Sequence, residues 1–282
     1  MSLRLHKLSG AGNDFLAWVE PEREPEPAEV VAWCARALGL GADGLFTLRQ
    51  VADGRVRMAH WNADGGRAEL CLNGTRCAAR LAFELGWAQR EVVLETDAGA
   101  LVGRRTAVAT EISVDVDPPA APPVAQVLRV GALEVSGWYV RVGVPHLVVP
   151  WASSLASAPV AELGPPLRRH AALGEAGANV NFVRYLAPER FEIRTFERGV
   201  EGETLACGTG VLAAAAVGLA LGHTRLPARA QTAGGFVLTV AGEARRGVAR
   251  AWSLVGDARW VGTVEPRPEA ALPAPSPPRW SD

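Results

Sequence analysis

Lysine is almost absent from this chain. Of its 29 basic residues only Lys7 is a lysine, and the others are arginines. A Schiff base to a carbonyl or to pyridoxal phosphate needs a lysine amine, so that chemistry has a single candidate, near the N-terminus. Cysteine is scarce too. Cys34, Cys71, Cys77 and Cys207 are too few among 282 residues for a disulfide scaffold. No C-x-x-C pair offers a zinc ribbon or a thioredoxin motif, and no metal site is expected. Net charge is missing as well: 29 basic against 30 acidic residues leave −1. That supplies no field to hold nucleic acid or an anionic membrane. One uncharged run, Leu205–Gly222, spans 18 residues. It is mostly Ala and Gly, which insert weakly into a bilayer, and no second run accompanies it, so it reads as a buried helix. The opening segment MSLRLHKLSGAGNDF has no apolar stretch of signal-peptide type. A cytoplasmic protein with reduced thiols is expected.

What is present is ordinary globular material. Hydrophobic residues make up 49% and charged residues 21%, enough for a packed core. The length suggests about two domains. Pro21–Pro27 reads as a loop, Asp117–Pro123 (DPPAAPP) as a domain linker, and Pro266–Pro278 as an extended tail. Alternating runs predict strands at Arg55–His60, Glu91–Thr96, Leu101–Ala107, Glu111–Asp115, Trp138–Val142, Arg190–Thr195, Phe236–Ala241 and Val248–Val255. Helices are expected from about Gly74 to Gly86 and from Gly210 to Gly222. The class is α+β. The expected division is a first domain over 1–118, a second over 119–262, and a flexible proline-rich tail over 266–282.

The most informative feature is a repeat. Cys71, Gly74 and Gly86 recur as Cys207, Gly210 and Gly222, all displaced by 136. The same displacement carries Gly41, Ala42, Asp43 and Phe46 onto Gly177, Ala178, Asn179 and Phe182, and at 133 Gly10 and Asn13 fall on Gly143 and His146. Three patches in one order at nearly one offset indicate two halves of one ancestral domain. Paired domains commonly hold a ligand between them.

Each repeat sets a cysteine just before a glycine-containing turn and a helix. A helix N-terminus carries partial positive charge and amides outside the helical ladder. There a thiol is acidified and a carboxylate can be bound. Two such thiols suit the inversion of a carbon that bears hydrogen. One takes the proton from one face, the other returns a proton to the opposite face, and helix amides stabilise the charge that spreads into the adjacent carboxylate. No cofactor is needed. Cys34, within VVAWCARALGL, and Cys77, one turn into its helix, read instead as small buried core residues.

GAGNDF at 10–15, GLGADGL at 39–45, WNADGGRAELCLNGTRC at 61–77, GVPHLVV at 143–149, GANVNFV at 177–183 and FERGVEGETLACGTG at 196–210 together resemble the diaminopimelate epimerase family, up to about residue 265. The resemblance implies two pseudo-symmetric α/β domains, each a curved mixed sheet wrapped around a central helix, with the active site in the interdomain cleft. It implies that residues 263–272 return to the first domain. It assigns Cys71 and Cys207 as acid/base thiols and sets Asn73, Gly208 and Thr209 beside the reacting carboxylate. Asn13, Asn62, Asn179 and Arg198 would hold the substrate, with Glu197 among the substrate-contacting groups and His146 shaping the site. Two positions depart from the pattern: Leu72 follows the first cysteine where glycine is common, and Val144 precedes Pro145 where asparagine is frequent.

The implied activity is cofactor-independent interconversion of LL- and meso-diaminopimelate, in lysine and peptidoglycan precursor synthesis. The expected partner is a small amino-acid substrate, with no nucleic acid and no membrane, and a homodimer stays open. One alternative is a racemase of the same architecture for proline, hydroxyproline or histidine. Another is a non-catalytic binding protein or redox switch that joins Cys71 and Cys207 as a disulfide.

Overall fold

The computed structural model describes residues 3–245 and 248–272. The chain divides into two compact units, one of residues 1–103 and 258–282, the other of residues 104–257.

The first unit begins with β1 (Leu5–Gly10) and β2 (Asn13–Val19), followed by α1 (Pro27–Cys34), β3 (Gly44–Ala52), β4 (Arg55–Asn62) and the short β5 (Arg67–Ala68). Then come α2 (Leu72–Glu84), β6 (Glu91–Thr96) and β7 (Gly99–Arg105), whose last two residues are counted with the second unit. The second unit holds β8 (Glu111–Val116), β9 (Val124–Val130), β10 (Leu133–Val142), β11 (Val144–Pro150), α3 (Val160–Arg168), β12 (Asn179–Ala187), β13 (Arg190–Glu197) and β14 (Gly202–Thr204). It continues through α4 (Gly208–Ala220), β15 (Ala228–Thr232), β16 (Val237–Arg245) and β17 (Val248–Asp257). The last strand, β18 (Arg259–Val264), belongs to the first unit and pairs antiparallel with β1.

The internal repeat is a repeat of topology. In the first unit β1–β2 is antiparallel, β2–β3 parallel, β3–β4 and β4–β5 antiparallel, and β4–β6 parallel. In the second unit β10–β11, β11–β12, β12–β13, β13–β14 and β13–β15 repeat that series in the same order. α1 and α3 occupy matching places between the parallel strands, and α2 and α4 between the last two strands of each series.

Each sheet curls around its own helix. α2 lies against β1, β2, β3, β4, β6 and β18, and α4 against β10, β11, β12, β13 and β16. Both helices are therefore buried on nearly every side, and in α4 the buried stretch from Gly210 to Gly218 is wholly apolar. At 13 residues α4 is shorter than the uncharged run Leu205–Gly222, and no helix among the described residues is long and apolar enough to cross a membrane. On the other face of the first sheet, α1 packs Val30, Trp33 and Cys34 onto Leu5, Leu16 and Leu45. In the second unit Val160, Leu163 and Leu167 of α3 pack on Leu147, Val180 and Phe182.

The domain division differs from the compositional reading. DPPAAPP joins β8 to β9 inside the second unit, so it is no linker. The boundary falls at 103/104, fifteen residues before the expected 118/119, because β8 hydrogen-bonds along β17 from Glu111↔Asp257 to Val116↔Trp252. Ladder pairing overrides proline content here. The return to the first unit starts at Ala258 rather than at 263. Pro268–Ala271, within the expected tail, forms a 3₁₀ turn against α1, while residues 273–282 lie outside the described residues.

Candidate active site

Cys71 and Cys207 are the N-cap residues of α2 and α4. Both are extended, with φ −136° and ψ 107° at Cys71 and φ −114° and ψ 108° at Cys207. The first intrahelical bonds run from Thr75 N to Cys71 O at 2.8 Å and from Val211 N to Cys207 O at 3.0 Å. The amides of residues 72–74 and 208–210 precede those bonds, so each thiol stands beside amides that can bind an anion. Neither cysteine side chain caps its helix. The distal ends match as well. Gly86 and Gly222 have φ of 76° and 72°, and the bonds Trp87 N to Ala82 O and His223 N to Gly218 O close both helices with the same six-to-one turn.

In the first unit a two-residue hairpin delivers Asn13. Ala11 and Gly12 both have positive φ, 56° and 87°, as a tight hairpin of this hand requires. A side chain at Gly10 would meet Asn73 O at 2.7 Å, so glycine lets the hairpin lie against α2. Asn13 Oδ1 then accepts from Cys71 Sγ at 3.8 Å and from Asn73 Nδ2 at 3.4 Å. These three expected residues are brought together. Asn62 ends β4 exposed to solvent, opposite Gly44 of β3.

In the second unit Thr209 Oγ1 lies 3.6 Å from Cys207 Sγ. Asn179 opens β12 and is buried, and its Oδ1 accepts from Arg198 N at 2.7 Å. Arg198 sits half-buried in the β13–β14 turn, and Glu197 Oε2 accepts from Thr204 Oγ1 at 2.8 Å. His146 pairs with Asn179 across the parallel β11–β12 ladder and is fully buried. Burial, helped by the Arg198 charge, pushes its imidazole down to about 3, so it is neutral at ordinary pH.

Three contributors escaped the sequence reading. Asn181 is fully buried, accepts from Thr195 Oγ1 at 3.0 Å, donates to Leu147 O at 3.2 Å and contacts His146 Nδ1 at 3.2 Å. Its position in GANVNFV was visible, but only a register could set it inward. Arg76 is wholly buried on α2 and donates to Asn73 Oδ1 at 2.7 Å. Asp43 accepts from Asn13 Nδ2 at 2.7 Å. Of the departures, Leu72 is buried at the first position of α2, and Val144 starts β11 half-buried opposite Val142.

Solved structures share this duplicated architecture. A phenazine biosynthesis protein of the PhzF family from Bacillus anthracis superposes with a TM-score of 0.68 at 14% identity, covering 94% of this chain and 98% of that one. A hydroxyproline epimerase from Agrobacterium vitis, solved with trans-4-hydroxy-L-proline, gives 0.63 at 15% identity over 96% of both. The fold is thus that of a duplicated two-domain α+β protein, each domain a mixed sheet curled around one helix. The chain belongs to the diaminopimelate epimerase family, whose model matches residues 5–121 and 138–261. The diaminopimelate epimerase of Aquifex aeolicus is 36% identical over 83% of this chain and 88% of its own length. That of Gemmatimonas aurantiaca is 40% identical over 74% and 76%.

Proposed function

We propose that this protein interconverts LL- and meso-diaminopimelate with its two helix-capping thiols and no cofactor, as a cytoplasmic isomerase. The observation that carries the reading is the strict equivalence of Cys71 and Cys207: same cap position, same backbone conformation, same helix length, in two units of one topology. A merely structural cysteine has no reason to be repeated at the one place where a helix acidifies it.

The chemistry is a balanced proton exchange. The thiolate takes the α-proton; the C–H bond breaks and its electron pair moves into the α-carboxylate. The opposite thiol then gives its proton to the other face; its S–H bond breaks and a new C–H bond forms with inverted configuration. One proton enters, one leaves, and the thiols exchange states. Amides at 72–74 and 208–210, with Asn73, Gly208 and Thr209 among them, hold the charged carboxylate. Asn13, Asn62, Asn179, Glu197 and Arg198 hold the rest of the substrate, and neutral His146 shapes the site beside them. The names carried by the relatives support diaminopimelate as the substrate.

A substrate panel tests this reading. Purified protein without added cofactor is expected to convert LL-diaminopimelate to the meso form, followed by chiral chromatography, and to leave proline, hydroxyproline and histidine largely unchanged. Preference for any of the three would replace the substrate and keep the mechanism.

A further inference from the structure

Each thiol has a polar neighbour, and the two neighbours differ in kind. Beside Cys71 it is the amide of Asn13, and which end of an amide faces a thiol is settled by what its other end touches. Asn13 Nδ2 donates to Asp43 Oδ2 at 2.7 Å, and an ionised carboxylate only accepts. At the far end, Arg76 Nη2 donates to Asn73 Oδ1 at 2.7 Å, and a guanidinium only donates. That turns Asn73 Nδ2 toward Asn13 Oδ1 at 3.4 Å. The relay is pinned at one end by a pure donor and at the other by a pure acceptor, so it admits a single polarity. Asn13 therefore faces Cys71 with an oxygen, 3.8 Å from Sγ. An S–H group donates to that oxygen, whereas a thiolate there would confront a lone pair.

Beside Cys207 stands the Thr209 hydroxyl at 3.6 Å. A hydroxyl rotates, so it can donate to a thiolate or accept from a thiol. We infer that the protein rests with the proton on Cys71 and the charge on Cys207, and that Asp43 and Arg76 are positioning residues that impose this order by locking the Asn13–Asn73 pair. The inference rests on the two-thiol reading only for its consequence, that Cys207 is the base poised for the first turnover.

The charged groups around the pair do not override the relay. Asp14 accepts from Lys7 at 2.6 Å and Arg36 at 2.8 Å, and Arg36 also reaches Asp43 at 2.6 Å. The two acids are thus offset by Lys7 from β1 and Arg36 beyond α1, while Arg76 from α2 is engaged with Asn73. In the second unit Glu197, held by Thr204, and Arg198 lie at the end of β13, while Glu201 pairs with Arg168 and Arg169 and Glu203 with Arg194.

The test is alkylation of the full-length protein by iodoacetamide across pH, without substrate, with each cysteine quantified by peptide mass mapping. Cys207 is expected to react with a midpoint at least about one pH unit below that of Cys71, a tenfold difference in thiolate population at intermediate pH. Asp43→Asn, which removes one of the two pins on the amide of Asn13, should lower the Cys71 midpoint and leave Cys207 unmoved. Asn13→Ala should do the same if Asp43→Asn does not fold, and Thr209→Val should raise Cys207 alone. A merely structural Asp43 would change melting temperature without moving the Cys71 midpoint. Equal or reversed midpoints in the wild type, or variants that move both thiols or neither, would overturn the assignment. Because nothing here depends on turnover, failure on diaminopimelate with the midpoints ordered as stated would count against the substrate reading alone.

Discussion

At the scale of the residue, Cys71 and Cys207 do different things for chemistry and for stability. Cys71→Ala and Cys207→Ala should each remove nearly all epimerisation, since inversion needs both an acceptor and a donor. Because neither thiol caps its helix, the alanine variants should keep the wild-type fold by circular dichroism. A hydroxyl at the same place would cap. Cys71→Ser and Cys207→Ser should therefore be more stable than the alanine variants, by about 1 kcal/mol in urea titration, while remaining severely impaired. Cys34 is the contrast: burial pushes its thiol up to about 12, so Cys34→Ala should alter stability and not turnover. Substrate choice should rest on Arg198. A carboxylate far from the reacting carbon needs a buried partner, and a lysine lacks the two parallel donors of a guanidinium. Arg198→Lys should lower kcat/KM for diaminopimelate tenfold or more, about 1.4 kcal/mol, with both thiols still open to alkylation. Unchanged kcat/KM would remove Arg198 from substrate recognition.

At the scale of the element, the two central helices are equivalent in backbone and unequal in surroundings, and a matched pair of substitutions reads the difference. A methyl at Gly210 would stand 2.4 Å from Asn181 Oδ1, which Thr195 and Leu147 hold in place. The matching methyl at Gly74 meets Met58 and Phe15 at 3.5 and 3.6 Å, ordinary contact distances. Gly210→Ala should destabilise by about 1–3 kcal/mol, and Gly74→Ala should be neutral or stabilising by up to about 1 kcal/mol through helix propensity. Equal effects in thermal melts would contradict the packing described. The same elements show what the sequence made legible. Both central helices were readable from the repeated glycines, but they start at Leu72 and Gly208, ahead of those glycines, because the cysteines themselves are the caps. Strands with one exposed face, such as Glu91–Thr96, alternate and were readable to the residue. β2, β3, β11 and β12 were not. They lie between a central helix and an outer one and are buried on both faces, with five consecutive buried residues in β3, β11 and β12, so no period-two pattern survives.

At the scale of the whole molecule, buried histidines make stability depend on pH. Burial, with help from Arg67, pushes His60 down to about 4, and burial with Arg198 pushes His146 to about 3. Unfolded, both would titrate near 6.5, so below that pH the unfolded chain holds more protons than the folded one. The stability from keeping them neutral is fully present above about 6.5 and is lost as pH falls toward their folded values. For Asp14, burial works upward, but hydrogen bonds from Arg36 and Lys7 outweigh it and hold the acid at about 2, which adds further loss below about 4. The urea midpoint should therefore drop between pH 7 and pH 4.5. His60 stacks edge-on to Phe15 at 5.6 Å, and its ring nitrogens have no hydrogen-bond partner among the described residues. His60→Phe should flatten that slope, recovering on the order of 3 kcal/mol at the acid end. An unchanged slope would show that His60 is not among the groups responsible.

The account stands on two thiols exchanging one proton with one carbon. Its most direct test is turnover of LL-diaminopimelate in deuterium oxide by purified protein with no added cofactor, analysed by mass spectrometry of the meso product. Solvent deuterium is expected at the inverted α-carbon, one atom per inversion at early times, and Cys71→Ala and Cys207→Ala should both be silent. Product that keeps its original α-hydrogen, or undiminished turnover in either cysteine variant, would contradict the two-base mechanism.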